Sequence, residues 1–222
     1  MAPIISRKQA SAAFTEPARN RQPINPGIDE KEEEKEERSA FMSLFFATLL
    51  PGLFLAVLGS LLLLNLPLVV ATLKALPRSH AASLVLFGGG VLWFLVLVAN
   101  MGEADRIFGS SNVPWVIGFA ALGVLSMKYV PDFLAVRGLS LLVLLAAWPL
   151  LHAAFMQYDI PRRLFMVTFV FVAIVAALYL AALPYRLRDF FQWLFARPAR
   201  ARALGGGLLA YGLVLMVVAF TY

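Results

Sequence analysis

The chain has 222 residues, 61% of them hydrophobic and 14% charged, with a formal charge of +6 and no cysteine. A soluble domain carries roughly 25% charged residues, so this composition argues against one. The lack of cysteine excludes disulfides, thiolate catalysis, iron–sulfur clusters and Cys-ligated zinc. The basic excess does not point to nucleic acid, because the Arg residues flank apolar runs, where anionic lipid headgroups are the complementary partner.

Residues 1–28 are rich in Pro, Asn, Gln, Ser and Arg and show no periodicity. Such a segment cannot bury enough apolar surface to offset its ordering entropy, and disorder is expected. Residues 29–38, DEKEEEKEER, hold seven acids and three bases. Glu34 with Arg38 and Glu32 with Lys35 stand at helical spacing, and such pairs add about 0.2–0.5 kcal/mol each to a helix. A solvated helical end running into the membrane is expected here, with a docking tail for a partner as the alternative. The expected division is a polar tail over 1–38 and a helical transmembrane domain over 39–222. The tail lacks the short apolar stretch and small-residue cleavage site of a secretory signal, so none is expected.

Apolar runs follow, each near the ~20 residues that cross a hydrocarbon core of about 30 Å. The run Phe41–Leu73 is free of charge over 33 residues. At about 1.5 Å per residue it would measure about 50 Å as one helix, too long for a perpendicular crossing. It contains Pro51-Gly52 and Asn65-Leu66-Pro67. A crossing over 41–64, a break near Asn65–Pro67 and a short amphipathic segment to Pro77 are expected. Further crossings are expected at 80–101, 114–130, 137–156, 162–183 and 203–221. The fold class is therefore all-α: a polytopic membrane protein of about six transmembrane helices plus one interfacial helix. Gly88-Gly89-Gly90, and Gly206 with Ala210, read as surfaces for close helix packing rather than phosphate loops.

The interfacial helix is expected over about 185–197. Leu187, Phe190, Phe191 and Leu194 recur at i, i+3, i+4 and i+7, with Arg186, Asp189 and Gln192 on another face. Such a helix suits the headgroup plane, with Trp193 as anchor and Arg186, Arg188, Arg197, Arg200 and Arg202 as lipid contacts. Pro198 is expected to end it. Packing against its own bundle is the alternative.

Loops alternate sides. Side A holds 65–79, 131–136 and 185–202, and side B holds 102–113 and 157–161. Near side A stand nine basic residues, and near side B only Arg106, Arg162 and Arg163. The positive-inside rule then makes side A cytoplasmic, in a bacterial-type cytoplasmic membrane. The N-terminal tail conflicts with this, because its seven Lys or Arg fall on side B and turn nine against three into nine against ten. Either the tail is exported, or 41–73 dips into the membrane and returns; a dip must be buried in protein.

No catalytic or metal-binding motif is present, and no cofactor is implied. His80 opens the second crossing on side A and His152 lies late in the fourth toward side B, so they cannot share a haem. The best polar constellation lies on side B. Asn100, Glu103, Asp105 and Arg106 close the second crossing, and His152, Gln157, Asp159, Arg162 and Arg163 lie where the fourth meets the fifth. His152 and Asp159 are seven apart and share a face if the helix continues. A histidine beside carboxylates can move protons, bind a cation or act as acid–base; the alternative is a set of loop charges capping helix ends. Three functions follow as expectations. The first is a structural or accessory subunit of a membrane complex, with other membrane subunits as partners. The second is a transporter or channel for a small solute or proton, using helices broken at Pro51, Asn65–Pro67 and Pro149. The third is an enzyme acting on lipid headgroups through His152 with Asp159 or Glu103.

Overall fold

A computed structural model describes the backbone of residues 26–102, 111–130 and 132–222, with side chains from Leu44 onward in those ranges. The chain divides into two units, Met1–Ala40 and Phe41–Tyr222. Among the described residues every regular element is helical. They are α1, Pro26–Leu64; α2, Pro67–Ala75, followed by a 3₁₀ turn at Leu76–Arg78; α3, His80–Ala99; α4, Val113–Tyr129; α5, Leu134–Ala153; α6, Arg163–Ala182; α7, Tyr185–Leu194; and α8, Pro198–Ala219.

The expected disordered tail lies outside the described residues except for 26–28, which open α1, and the charged stretch 29–38 is helical as expected. Pro51 sits inside α1 and does not interrupt it. The break falls at Asn65, whose φ of 47° is left-handed, a conformation that asparagine tolerates better than most residues. Pro67 then opens α2, where its missing N–H costs nothing. The nine residues of α2 span only about 13 Å at about 1.5 Å per residue, less than half of a hydrocarbon core of about 30 Å. Pro149 likewise lies inside an unbroken α5.

Among the described residues five helices are long and apolar enough to cross a membrane: Leu44–Leu64 of α1, α3, α5, α6 and α8. The third expected crossing forms α4, a helix of 17 residues that falls just short of that length. Pro198 does not end the interfacial helix. That helix stops at Leu194, and Pro198 starts α8, which places Arg200 and Arg202 in its first turns.

Small residues set the packing. α1 and α8 run antiparallel and touch through Gly52, Gly59, Gly205 and Gly212. A Cβ on Gly59 would stand 2.5 Å from the Leu209 nitrogen and 2.7 Å from the Gly205 oxygen. The close contact is therefore made by Gly205, not by the expected Gly206, whose added Cβ would find only Leu63 at 3.9 Å. α3 and α5 run parallel: Gly138 lies on the Phe87 backbone, and Gly90 faces Leu141. α4 returns between their ends, antiparallel to α3, with Gly123 against Val91 and the Phe94 and Phe119 rings 5.1 Å apart. A buried core of Leu44, Ala47, Leu55, Ala147, Met166, Val170 and Leu215 joins α1, α5, α6 and α8.

Candidate functional site

The helix directions gather the polar residues at two ends, with the apolar bundle between. End A collects α2, the 3₁₀ turn, the turn before α5, α7 and the start of α8; end B collects the close of α3, the segment 154–162, the first residues of the α1 span and the chain's last residues.

End A is the more elaborate. Phe133, at φ 56°, occupies the turn into α5. Its ring has two guanidinium carbons beside it, Arg78 at 5.9 Å and Arg188 at 6.0 Å. Each is a cation–π contact of about 0.5–1 kcal/mol at an exposed site. Arg188 also pairs with Asp189 at 2.8 Å. Lys74 lies 5.8 Å from the Phe195 ring. Arg200 lies 4.6 Å over Trp193 and donates to its carbonyl at 3.0 Å. Arg186 lies over Tyr185, and Arg197 and Arg202 are exposed. α7 divides its expected apolar stripe. Leu187 and Leu194 are buried, while Phe190 is exposed and stacks on exposed Trp193. The helix is thus both packed on its bundle and amphipathic outward.

Beside this cluster lies a cavity of about 200 Å³ between the starts of α3 and α5 and the end of α4. Arg78, His80, Ser83 and Asp132 line it together with Leu84, Met127 and Leu134. The sequence reading did not single out Asp132 or Ser83. Their only signals are a Pro-Asp turn and a position one turn into α3.

End B is where the sequence places its polar constellation, and the described residues include only part of it. Asn100 caps α3 and donates to the Val96 carbonyl at 2.7 Å. Glu103, Asp105 and Arg106 lie outside the described residues. His152 is exposed, with its ring 5.6 Å from that of Trp148, itself exposed. The condition that would place His152 and Asp159 on one face is not met: α5 ends at Ala153, and Met156 turns left-handed at φ 64°. Asp159 is exposed. Arg162 donates to the Thr221 carbonyl at 3.3 Å, and Arg163 to that of Ala154 while lying 4.7 Å over Tyr158. These two arginines brace the chain's turns. Thr48 and Tyr222 share a hydrogen bond at 3.2 Å. Burial pushes the Tyr222 hydroxyl above its ordinary value, and the Thr48 bond draws it the other way. Asn112, not singled out in sequence, donates to the carbonyls of Ala99 and Met101, both at 2.9 Å, and so ties α4 to the end of α3.

The two histidines stand at opposite ends of the parallel helices α3 and α5. Among the described residues no three His, Cys, Asp or Glu side chains come together as a metal site. The buried polar side chains among them are Thr48 and Ser140, each bonded to the carbonyl four residues back. A cavity of about 600 Å³ is lined by apolar side chains of α1, α3, α5 and α6, with Pro51, Trp93 and Pro149 among them. Comparison with family models, curated proteins and solved structures finds no match to this chain.

Proposed function

We propose that the chain is an integral membrane protein of six crossings that serves as a structural or accessory subunit of a membrane complex. The observation that carries this reading is the interior. The two buried polar side chains among the described residues carry no charge: Ser140 bonds within its own helix, and Thr48 bonds within its helix and to Tyr222 at end B. A transport path needs polar or ionisable groups inside the bundle. Two of the three interruptions that could have built such a site, Pro51 and Pro149, leave their helices continuous.

The outer faces suit lipid or partner helices. Only 17% of the apolar windows of α3 and α6 is buried inside the chain, and Phe171, Val172 and Val175 stand exposed along α6. In this reading α4 crosses as the shortest of the six, with Lys128 snorkelling at its end. End A faces the cytoplasm of a bacterial-type cytoplasmic membrane, and α1 crosses once, leaving its acidic-flanked N-terminal side exported. Arg186, Arg188, Trp193, Arg197, Arg200 and Arg202 lie at the level of anionic headgroups.

The test is photo-crosslinking in native membranes from positions 172 and 175, followed by purification in mild detergent. A discrete crosslinked polypeptide at stoichiometric yield is expected. A chain that crosslinks only lipid and purifies alone, yet moves protons or solute in proteoliposomes, would overturn the assignment.

A further inference from the structure

We infer that end A carries a discrete site for an anionic phosphodiester lipid, with the phosphate at Arg78 and the glycerol backbone over the cavity between α3, α4 and α5. The inference rests on the reading of the chain as membrane-spanning and adds a bound ligand at a named place.

Three observations converge. The first is charge. Near end A the sequence places nine Lys or Arg against two acids, Asp132 and Asp189. Asp189 is already engaged by Arg188. The second is the position of Arg78. Arg78 is exposed, with its guanidinium beside the Phe133 ring that Arg188 also approaches. A ring neutralises no charge, and Arg188 is already paired with Asp189, so it is Arg78 that keeps its N–H groups for an anion, and a planar guanidinium binds phosphate oxygens in pairs. The third is the cavity itself. Its lining combines polar Arg78, His80, Ser83 and Asp132 with apolar Leu84, Met127 and Leu134. A soluble phosphate needs no such apolar lining, whereas the ester end of a lipid does. Leu84 is exposed along the outer face of α3 and extends the apolar surface toward the bundle's middle.

Asp132 on the rim sets the headgroup. Its carboxylate disfavours a doubly charged phosphomonoester and accepts a hydrogen bond from a hydroxyl. A glycerol headgroup on a phosphodiester meets both conditions and keeps the net negative charge that the basic end attracts.

The experiment is native mass spectrometry of the purified full chain in detergent, titrated with dioleoyl phosphatidylglycerol or dioleoyl phosphatidylethanolamine. One phosphatidylglycerol is expected to bind ahead of the rest, more tightly than phosphatidylethanolamine. Arg78→Gln should weaken it about fivefold, the effect of one basic residue near an anionic surface. Arg162→Gln, a basic residue at end B, should leave it unchanged. Asp132→Asn should hold or tighten phosphatidylglycerol. Loss of affinity there together with a preference for phosphatidylethanolamine would mean an ammonium on Asp132 and overturn the anionic assignment. Equal binding of the two lipids, or displacement of the first lipid by glycerol 3-phosphate alone, would also overturn it. If Arg78→Gln is not monodisperse, Arg78→Lys replaces it, and unchanged affinity in a folded Arg78→Lys would refute the paired phosphate contact. A lipid result of this kind leaves the spanning reading intact, whereas a chain that partitions into the soluble fraction removes both.

Discussion

Gly59→Ala is the sharpest test of the packing. The new methyl would stand 2.5 Å from the Leu209 nitrogen, 2.7 Å from the Gly205 oxygen and 2.9 Å from the Leu209 Cα. All three are backbone atoms, so no side chain can swing aside. Comfortable contact is about 3.5–4.0 Å, and α1 and α8 must part by about 1 Å. A gap of about 0.5–1 Å forfeits a quarter to a half of each contact's ~0.1–0.2 kcal/mol. Over roughly 40 atom pairs, the number one buried leucine makes, the loss is about 2 kcal/mol, inside the ~1–3 kcal/mol range for overpacking. Gly89→Ala is the matched control, because nothing lies within 4 Å of its added Cβ. Both variants gain the same helix propensity, about 1 kcal/mol over glycine, so their difference isolates the steric term. At roughly 2–4 °C per kcal/mol for a chain of this size, Gly59→Ala should melt about 4–8 °C below Gly89→Ala. The assay is the fraction remaining monodisperse in detergent after heating, read by size-exclusion chromatography. The two variants melting together would refute the glycine contact between α1 and α8.

Other outcomes follow from the same contacts. Asn112→Ala loses two hydrogen bonds to the Ala99 and Met101 carbonyls, at about 0.5–1.5 kcal/mol each, and should melt several degrees lower; unchanged melting would contradict the tie between α3 and α4. His152→Ala removes an exposed ring and should change stability by no more than about 0.5 kcal/mol; a large drop in melting temperature would instead show an acidic side chain from 103–106 reaching it. Far-UV circular dichroism in detergent should show a helical spectrum, and a strand-dominated one would contradict the fold.

The helices were legible in sequence because lipid-length apolar runs have one dominant cause. The break at Asn65–Pro67 was legible for the same reason, being two strong local signals together. The expected crossings 41–64 and 137–156 run through Pro51 and Pro149, which are breaks only in the transport and re-entry alternatives; inside a bundle the neighbouring helices can absorb the lost hydrogen bond, and both helices continue. The glycine contacts were visible only as triplets. Which member touches a neighbour depends on the rotation of each helix about its axis, so Gly205 and Gly90 make close contacts while Gly89 and Gly207 make none. Of the polar constellation, Asn100 and Arg162 are placed as helix-end and turn braces, and Glu103, Asp105 and Arg106 lie outside the described residues. The cavity at Arg78, His80 and Asp132 joins residues more than fifty positions apart, and no local pattern announces such a meeting.

Six crossings with end A cytoplasmic are tested most directly by cysteine labelling, since the natural chain has no thiol to interfere. Single cysteines at Ala199 and Ser79 report end A, and at Ser111 and Asp159 end B. With a membrane-impermeant maleimide on intact cells, labelling at 111 and 159 but not at 79 and 199 until the cells are opened is the expected result. Labelling at 199 in intact cells, or at 79 and 111 alike, would contradict the threading.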